Sequence, residues 1–386
     1  MNIKRFTFAI CSLLTVLCFI GCGNDDLPSI DKRQLADHSV LVYIVADNNL
    51  SDSGDESFRI ISKAYYNTPN RDDANLFVYL DNHEGDGLPV LYYLDPKTEP
   101  TVLKGYTEQN SVSPSVIREV CSTVFSTGQR AKSVNSVIFW SHGTNWYPAN
   151  TKERTRSFGE DNNAKIDISD MADALKGLSI NNLMFDACLM GSAEVAAEFA
   201  DVADVLVASP TEILTTSYPY RTIIPALCTS KPDMHKVVDL YQQYYSSLSD
   251  IYQSGILTAV NLKGIRRLAE TFGKLKNPAY GDGHMTTVPE LCYDRERVHL
   301  FFDILQFAGR CRDKIAEESD AGTADALYQD FVQAFRDCDI YTRHTDKFIT
   351  INLKGACGLS VYIPGPAIVA GLDDFYKYLT WYQWSH

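Results

Sequence analysis

Between Ser39 and Pro210 the chain alternates runs of β-branched and aromatic residues with segments of helical period, and this alternation restricts the fold more than any other feature. The runs Ser39–Asp47, Ala74–Asp81, Val134–His142, Asn182–Cys188 and Asp204–Ser209 are apolar almost throughout, as strands buried on both faces must be. Asp52–Asn67, Pro114–Thr127, Ile168–Leu178 and Ser192–Ala200 read as the helices between them. Such a pattern predicts an α/β fold with a mostly parallel central sheet and helices on both faces. Val90–Leu94, after the Gly85–Gly87 turn, reads as an added antiparallel strand.

Beyond Pro219 the pattern turns helical, with Asp233–Ser249, Leu262–Lys276, His299–Ala316 and Thr323–Asp337 as the main candidates. Strands at Gly255–Asn261, Ile340–His344 and Gly358–Ile363 imply that this C-terminal part extends the same sheet or packs beside it, and a helix at Leu372–Tyr382 closes the chain. The expected organisation is therefore 1–21 as a signal segment, 22–38 as an acidic tether, 39–230 as the main α/β domain and 231–386 as the C-terminal α/β part. Tyr147 to Lys165 is polar and basic without helical period, and reads as an exposed loop or small hairpin between the third and fourth core strands.

Lys4-Arg5 followed by the apolar stretch Phe6 to Ile20 reads as the start of a signal peptide, too short to span a bilayer comfortably. Phe19-Ile20-Gly21-Cys22 resembles the lipobox of bacterial lipoproteins, and this likeness makes Cys22 the acylated first residue of the mature chain. Asn24-Asp25-Asp26 resembles the tag that sends some Gram-negative lipoproteins to the outer surface. An anchored protein of the outer membrane or cell surface is expected, touching the membrane only through its lipid, with the periplasmic face as the other possibility.

The formal charge of −14 becomes −16 once residues 1–21, with Lys4 and Arg5 and no acid, are removed. A nucleic-acid partner is disfavoured. Seven cysteines remain after Cys11, Cys18 and Cys22 are set aside, an odd number that cannot all pair in an oxidising compartment. The spacing of cysteines and histidines suggests no zinc site.

Two core strands end in reactive side chains, Ile138-Phe139-Trp140-Ser141-His142-Gly143 and Leu183-Met184-Phe185-Asp186-Ala187-Cys188. Ligands and catalytic groups collect at the carboxyl ends of parallel strands, so neighbouring strands would present imidazole and thiol at one rim. A thiol of ordinary pKa is mostly protonated at neutral pH, and an adjacent imidazole or helix N-terminus raises its thiolate fraction. The helical pattern from Ser192 suggests that Cys188 has both. The backbone N–H groups of Gly143 and Cys188 are the expected oxyanion donors. Trp146 and Tyr147 either wall a cleft or pack the loop, and Asp47-Asn48-Asn49 shapes a turn beside the site.

These segments carry a family resemblance. Val45-Ala46-Asp47-Asn48-Asn49-Leu50, Ser141-His142-Gly143, Phe185-Asp186-Ala187-Cys188-Leu189-Met190-Gly191 with Glu194-Val195-Ala196, Ala208-Ser209 before Tyr218-Pro219-Tyr220, and Gly358-Leu359-Ser360-Val361-Tyr362-Ile363-Pro364 look like clostripain-family cysteine peptidases, in the family's order. The resemblance implies a caspase-like α/β/α sandwich, His142 as general base, Cys188 as nucleophile, protein or peptide substrates and cleavage after Arg or Lys, with Asp186 lining the pocket for the basic side chain. It implies activation by self-cleavage in the segment between His and Cys, where Lys152, Arg154 and Arg156 form a basic cluster and Arg156 is the expected cut. No cofactor is required, although calcium dependence occurs in the family. Asp161, Asp167 and Asp170 are candidate oxygen ligands without EF-hand spacing. A monomer is expected.

Similar peptidases carry acidic and Gly-rich sequence before Gly-Trp-Pro-Tyr, where this chain has Pro210-Thr211-Glu212-Ile213-Leu214-Thr215-Thr216-Ser217. A second pocket acid is then replaced by Thr216, with Glu212 as a substitute from a different loop position. This departure favours the competing reading, a catalytically silent, lipid-anchored binder of peptide or glycan on the same scaffold. His142 and Cys188, which a binder does not need, favour the peptidase. A Gly-x-Ser-x-Gly elbow for a serine hydrolase is missing.

Overall fold

The structure, a computed structural model, describes residues 35–82, 87–127, 133–147, 157–281, 289, 291–364 and 371–386, and residues 31–386 form one compact unit. Cys22 and the basic cluster around Arg156 lie outside the described residues.

The five apolar runs form the core of a nine-stranded sheet. In chain order its first strands are β1 (His38–Ala46), β2 (Asn75–Asn82), β3 (Val90–Leu94), β4 (Pro100–Gly105) and β5 (Val134–Trp140). A hairpin of β6 (Phe158–Asp161) and β7 (Ala164–Ile166) stands apart, followed by β8 (Ile180–Asp186), β9 (Ala203–Ala208) and β10 (Ile256–Asn261). β11 (Phe301–Asp303) belongs to a small second sheet, and β12 (Tyr341–His344) returns to the first. The spatial order is β12-β10-β9-β8-β5-β1-β2-β3-β4. β9, β8, β5, β1 and β2 are parallel, while β3 and β4 on one edge and β10 and β12 on the other run antiparallel.

Burial explains why the central strands carry so little polar pattern. Every residue of β1 is buried. Val40, Val42, Ile44 and Ala46 share a cluster with α1 (Ser51–Tyr66) and the later helices at Tyr220–Leu227 and Met234–Ser246. Alternate residues point to the opposite face. There Tyr43 stacks on Tyr79 with ring centroids 4.4 Å apart, and Phe139 lies against Tyr43 and Phe185. This second layer holds α2 (Pro114–Thr127), α3 (Ile168–Leu175) and α4 (Ala193–Glu198). The architecture is the expected α/β/α sandwich. α5 (Tyr220–Leu227), α6 (Met234–Ser246), α7 (Ile265–Tyr280), α8 (Ile304–Glu318) and α9 (Ala321–Asp337) make the C-terminal part largely helical, and α7, α8 and α9 pack on one another.

Two expectations need correction. The helix read at His299–Ala316 begins only at Ile304, because Phe301–Asp303 pairs with Ser360–Tyr362 as a two-stranded sheet and Asp303 caps the helix by accepting from the Gln306 N–H at 3.0 Å. Gly358–Ile363 therefore lies in a separate small sheet rather than extending the main one, the second of the two placements expected. The closing helix is broken into α10 (Leu372–Tyr376) and α11 (Thr380–Ser385), where the Thr380 N–H leaves the helical ladder for Glu198 Oε1 at 2.6 Å. β4 and α5, with Pro225 in its interior, have no counterpart among the expected elements. Among the described residues no helix is long and apolar enough to cross a membrane.

Gly273 of α7 lets the last helix dock: a Cβ there would stand 1.9 Å from the Ser385 carbonyl oxygen. Gly273→Ala should cost about 1–3 kcal/mol by forcing α11 away. Thermal unfolding of the variant is expected to begin several degrees below wild type, and an unchanged midpoint would contradict the packing.

Candidate functional site

Parallel pairing of β5 with β8 builds the site. The register runs to Trp140 opposite Asp186, so His142 and Cys188 each stand two residues beyond the same rung. Past the strand ends the two backbones stay close: a Cβ on Gly143 would lie 2.7 Å from the Cys188 carbonyl oxygen and 3.2 Å from its nitrogen. Only glycine fits there. Gly143 also bridges Phe158 of β6, through bonds from Gly159 N–H to the His142 carbonyl at 2.9 Å and from Thr144 N–H to the Ser157 carbonyl at 3.0 Å. That ladder uses the flanking residues' groups and not the N–H of Gly143.

His142 Nε2 and Asn49 Oδ1 are 2.7 Å apart. Asn49 lies just past β1, the strand adjacent to β5. Asn48 fixes its turn, with Oδ1 accepting from the Leu50 N–H at 2.8 Å and Nδ2 donating to the Glu160 carbonyl. The sequence places these residues in a turn but gives Asn49 no role. The available signal was topological, since a side chain ending β1 faces whatever ends β5.

Cys188 departs from expectation. α4 starts five residues later, and its Ser192 cap accepts from the Val195 N–H at 3.1 Å, so the thiol is not at a helix N-terminus. The sulfur instead accepts from the Ile213 N–H at 3.3 Å and lies 3.7 Å from the Ile213 carbonyl. Burial pushes its pKa up to about 11; the Ile213 N–H opposes the rise, Glu212 and Asp186 add to it, and Arg295 opposes it. In this state the thiol is protonated and quiet.

Asp186 is buried, and its Oδ2 accepts from Ser217 Oγ, the Tyr218 N–H at 3.1 Å and the Tyr220 hydroxyl at 2.7 Å. Burial raises its pKa to about 6 against the pull of those donors. The carboxylate thus anchors the segment that carries Ile213. Glu212 is engaged as well, with Oε1 accepting from Arg295 Nε at 3.0 Å. Thr216 is exposed and its hydroxyl lies 3.0 Å from that of Tyr245.

The remaining candidates separate. Trp146 is fully buried against Phe301, Tyr362, Phe375 and Tyr376, and so packs the core rather than walling a cleft. Glu194 ties α4 to the small second sheet, its Oε1 accepting from the Tyr362 N–H at 2.7 Å, while the Ser360 N–H donates to the Gly191 carbonyl at 3.1 Å. The Gly191 N–H in turn reaches Ser209 at 2.8 Å. Asp161 lies with Asp47 and Glu108, whereas Asp167 precedes α3 and pairs with Ser157, so those two do not share a site. Among the described residues all seven cysteines are unpaired.

The segments singled out by resemblance, distant in sequence, therefore converge on one rim around a cysteine and a histidine. This fold and site, together with the comparisons, define a cysteine-type peptidase, a hydrolase. The chain belongs to the Clostripain family, whose profile matches residues 42–296. It is similar to an inactive zymogen C11 protease from Parabacteroides distasonis at 25% identity and TM-score 0.75, covering 91% of this chain and 99% of that one. A secreted C11 cysteine protease from Bacteroides thetaiotaomicron in complex with an irreversible peptide inhibitor shares the fold at 23% identity and TM-score 0.74, with the same coverage. The same holds for the B. thetaiotaomicron C11 protease called iotapain, at 19% identity, TM-score 0.75 and coverage of 91% and 99%. No curated protein sequence matches.

A thiol with a pKa near 11 gains thiolate tenfold per pH unit below that value. Alkylation of Cys188 by iodoacetamide in the intact chain should accelerate from pH 7 through pH 10 without levelling. A plateau below pH 9 would contradict the burial seen here.

Proposed function

We propose that this chain is an endopeptidase with Cys188 as nucleophile, His142 as general base and Asn49 as the residue that orients the imidazole, made as a latent precursor and cleaving after Arg or Lys. The observation that carries the reading is the juxtaposition of the Gly143 and Cys188 backbones, with the imidazole of His142 held from behind by Asn49. Asn49 accepting at Nε2 fixes the tautomer in which Nδ1 takes the thiol proton. The thiolate attacks the scissile carbonyl, and the new oxyanion accepts from the N–H groups of Gly143 and Cys188. The proton on His142 passes to the leaving amine. Water, deprotonated by the same imidazole, then hydrolyses the thioester. No cofactor enters these steps.

Latency rests on the Ile213 peptide, which occupies the sulfur, and on Asp186, whose Oδ2 is filled by the same loop. Displacing that loop frees both groups, the first for attack and the second for a basic P1 side chain. Cleavage near Arg156 suits this trigger, because the segment leads directly into β6, which is bridged to Gly143. The inhibitor in the B. thetaiotaomicron complex is a peptide, in line with protein or peptide substrates here. Cys22 acylation would hold a monomer at the outer membrane or cell surface.

An acyloxymethyl ketone with Arg or Lys at P1 should label the processed chain at Cys188 and leave Cys188→Ala unlabelled. Absence of an adduct with any P1 residue after processing would support the binding-protein reading. Arg156→Ala should leave the chain uncut and unlabelled. Asn49→Ala should lower kcat by about 10²-fold, the low end of what general-base catalysis contributes, and shift the acidic limb of the pH profile while KM changes little. An unchanged pH profile would remove Asn49 from this role. Cys22→Ala should move the protein out of the membrane fraction; continued membrane association would contradict the anchor.

A further inference from the structure

A thiol, a carboxylate and an imidazole meet on the turn that leads into β11. The Tyr293 N–H donates to the Phe301 carbonyl at 2.9 Å and the Asp303 N–H to the Leu291 carbonyl at 3.1 Å, so Cys292 is fixed opposite Phe302. Asp294 closes the turn. Its Oδ1 accepts from the Glu296 N–H at 3.1 Å, and its Oδ2 from the Leu300 and Phe301 N–H groups at 2.8 and 2.9 Å. Cys292 Sγ lies 3.1 Å from Oδ2, and His299 Nδ1 lies 3.0 Å from Oδ1. One ligand atom from each of the three residues stands within 4.8 Å of the other two.

The sulfur has more acceptors around it than it can serve. Besides Oδ2, the carbonyls of Phe301 and Asp294 stand 3.4 and 3.7 Å away, and a thiol has a single proton to give. A cation in that place would satisfy sulfur and carboxylate together. Asp294 is buried and its three backbone donors fix its orientation, which is the support that metal-binding carboxylates receive in proteins. Cys292 is half-buried and His299 exposed, so the turn is open to an ion from solvent. Arg295, next to the carboxylate in sequence, is turned to Glu212 Oε1 at 3.0 Å.

We propose that Cys292, Asp294 and His299 bind zinc, and that the ion holds closed the strap which Arg295 and Glu212 form beside Cys188. Sulfur, nitrogen and oxygen donors together suit zinc, whereas calcium and magnesium take oxygen alone. Tetrahedral zinc at its usual bond lengths separates its ligand atoms by about 3.3–3.7 Å, so the exposed His299 has little distance to move, and water completes the four. The spacing of cysteines and histidines does not disclose the group, because one of its donors is a carboxylate. Glu212 precedes Ile213, whose N–H reaches the Cys188 sulfur, and Arg295 is among the charges that bear on that thiol. Zinc on the turn fixes Arg295 from one side, and Glu212 carries the restraint to the loop. The ion takes no part in hydrolysis; it governs access to the sulfur.

Cobalt(II), which gives an absorption band when a thiolate binds it, tests this in the full chain carrying Cys188→Ser, where the sulfur of the rim is replaced by an oxygen that still accepts a hydrogen bond. These readings need no peptidase activity. Expected are a charge-transfer band that saturates at one cobalt per chain, its displacement by zinc but not by excess calcium or magnesium, and a thermal midpoint raised by zinc. Cys292→Ser should abolish the band, and His299→Ala should weaken zinc binding at least about tenfold by removing a ligand. His299→Ala, at an exposed position, decides the matter if Cys292→Ser does not fold. Hydrogen exchange over residues 211–217 should slow on addition of zinc, and should not respond to zinc in His299→Ala. No band and no thermal shift with either metal in excess, or binding unchanged by His299→Ala, would overturn the site. Exchange indifferent to bound zinc would overturn the strap.

Discussion

The parallel ladder between β5 and β8 is the constraint on which the site depends. Parallel pairing carries both strands to the same rim in fixed register, so two residues distant in sequence become neighbours without a dedicated contact between them. The residues beyond the ladder exploit that proximity. Gly143 removes the side chain that would separate the backbones, and β1, on the other side of β5, supplies Asn49 to the imidazole. Precision at the rim comes from strands buried on both faces, whose packing leaves them one arrangement.

The same burial quiets the Cys188 thiol. A thiol set in apolar surroundings disfavours its charged form, and here the compensating donor is a peptide N–H from the loop that covers it. Asp186 holds that loop with three donors on one oxygen. In the proposed reading, substrate recognition and latency draw on the same carboxylate, and a ligand that displaces the loop must offer a donor set as good as the one it replaces. A basic P1 side chain, as proposed above, would do so. Glu212 and Arg295 add a second closure nearby, joining the loop to the segment after residue 290.

Much of this was legible in the sequence because both-face burial writes itself as uninterrupted apolar runs. The five core strands lie within two residues of their expected ends, and the segments around His142 and Cys188 were found by what terminates those runs. Other features left weaker marks. β4 is an edge strand with Thr101 and Val102 exposed, so it lacks the apolar signature. Phe301–Asp303 looked helical because a short apolar run has no period of its own, and a strand 57 residues away at its closest pairing, Ser360, decided its state. The latch on Cys188 is a backbone N–H, which no residue type encodes. Asp161 lies with Asp47 and Glu108 from two other segments, a grouping that spacing along the chain does not reveal and that excludes Asp167.

The central claim is that imidazole and thiol at these two strand ends act on one carbonyl. A crystal structure of the processed chain bound covalently to a peptidyl ketone measures this directly. The account predicts a bond from Cys188 Sγ to the inhibitor, its former carbonyl oxygen facing the N–H groups of Gly143 and Cys188, His142 within hydrogen-bonding reach, and Ile213 withdrawn from the sulfur. An adduct on another cysteine, or one on Cys188 with His142 turned away, would contradict it.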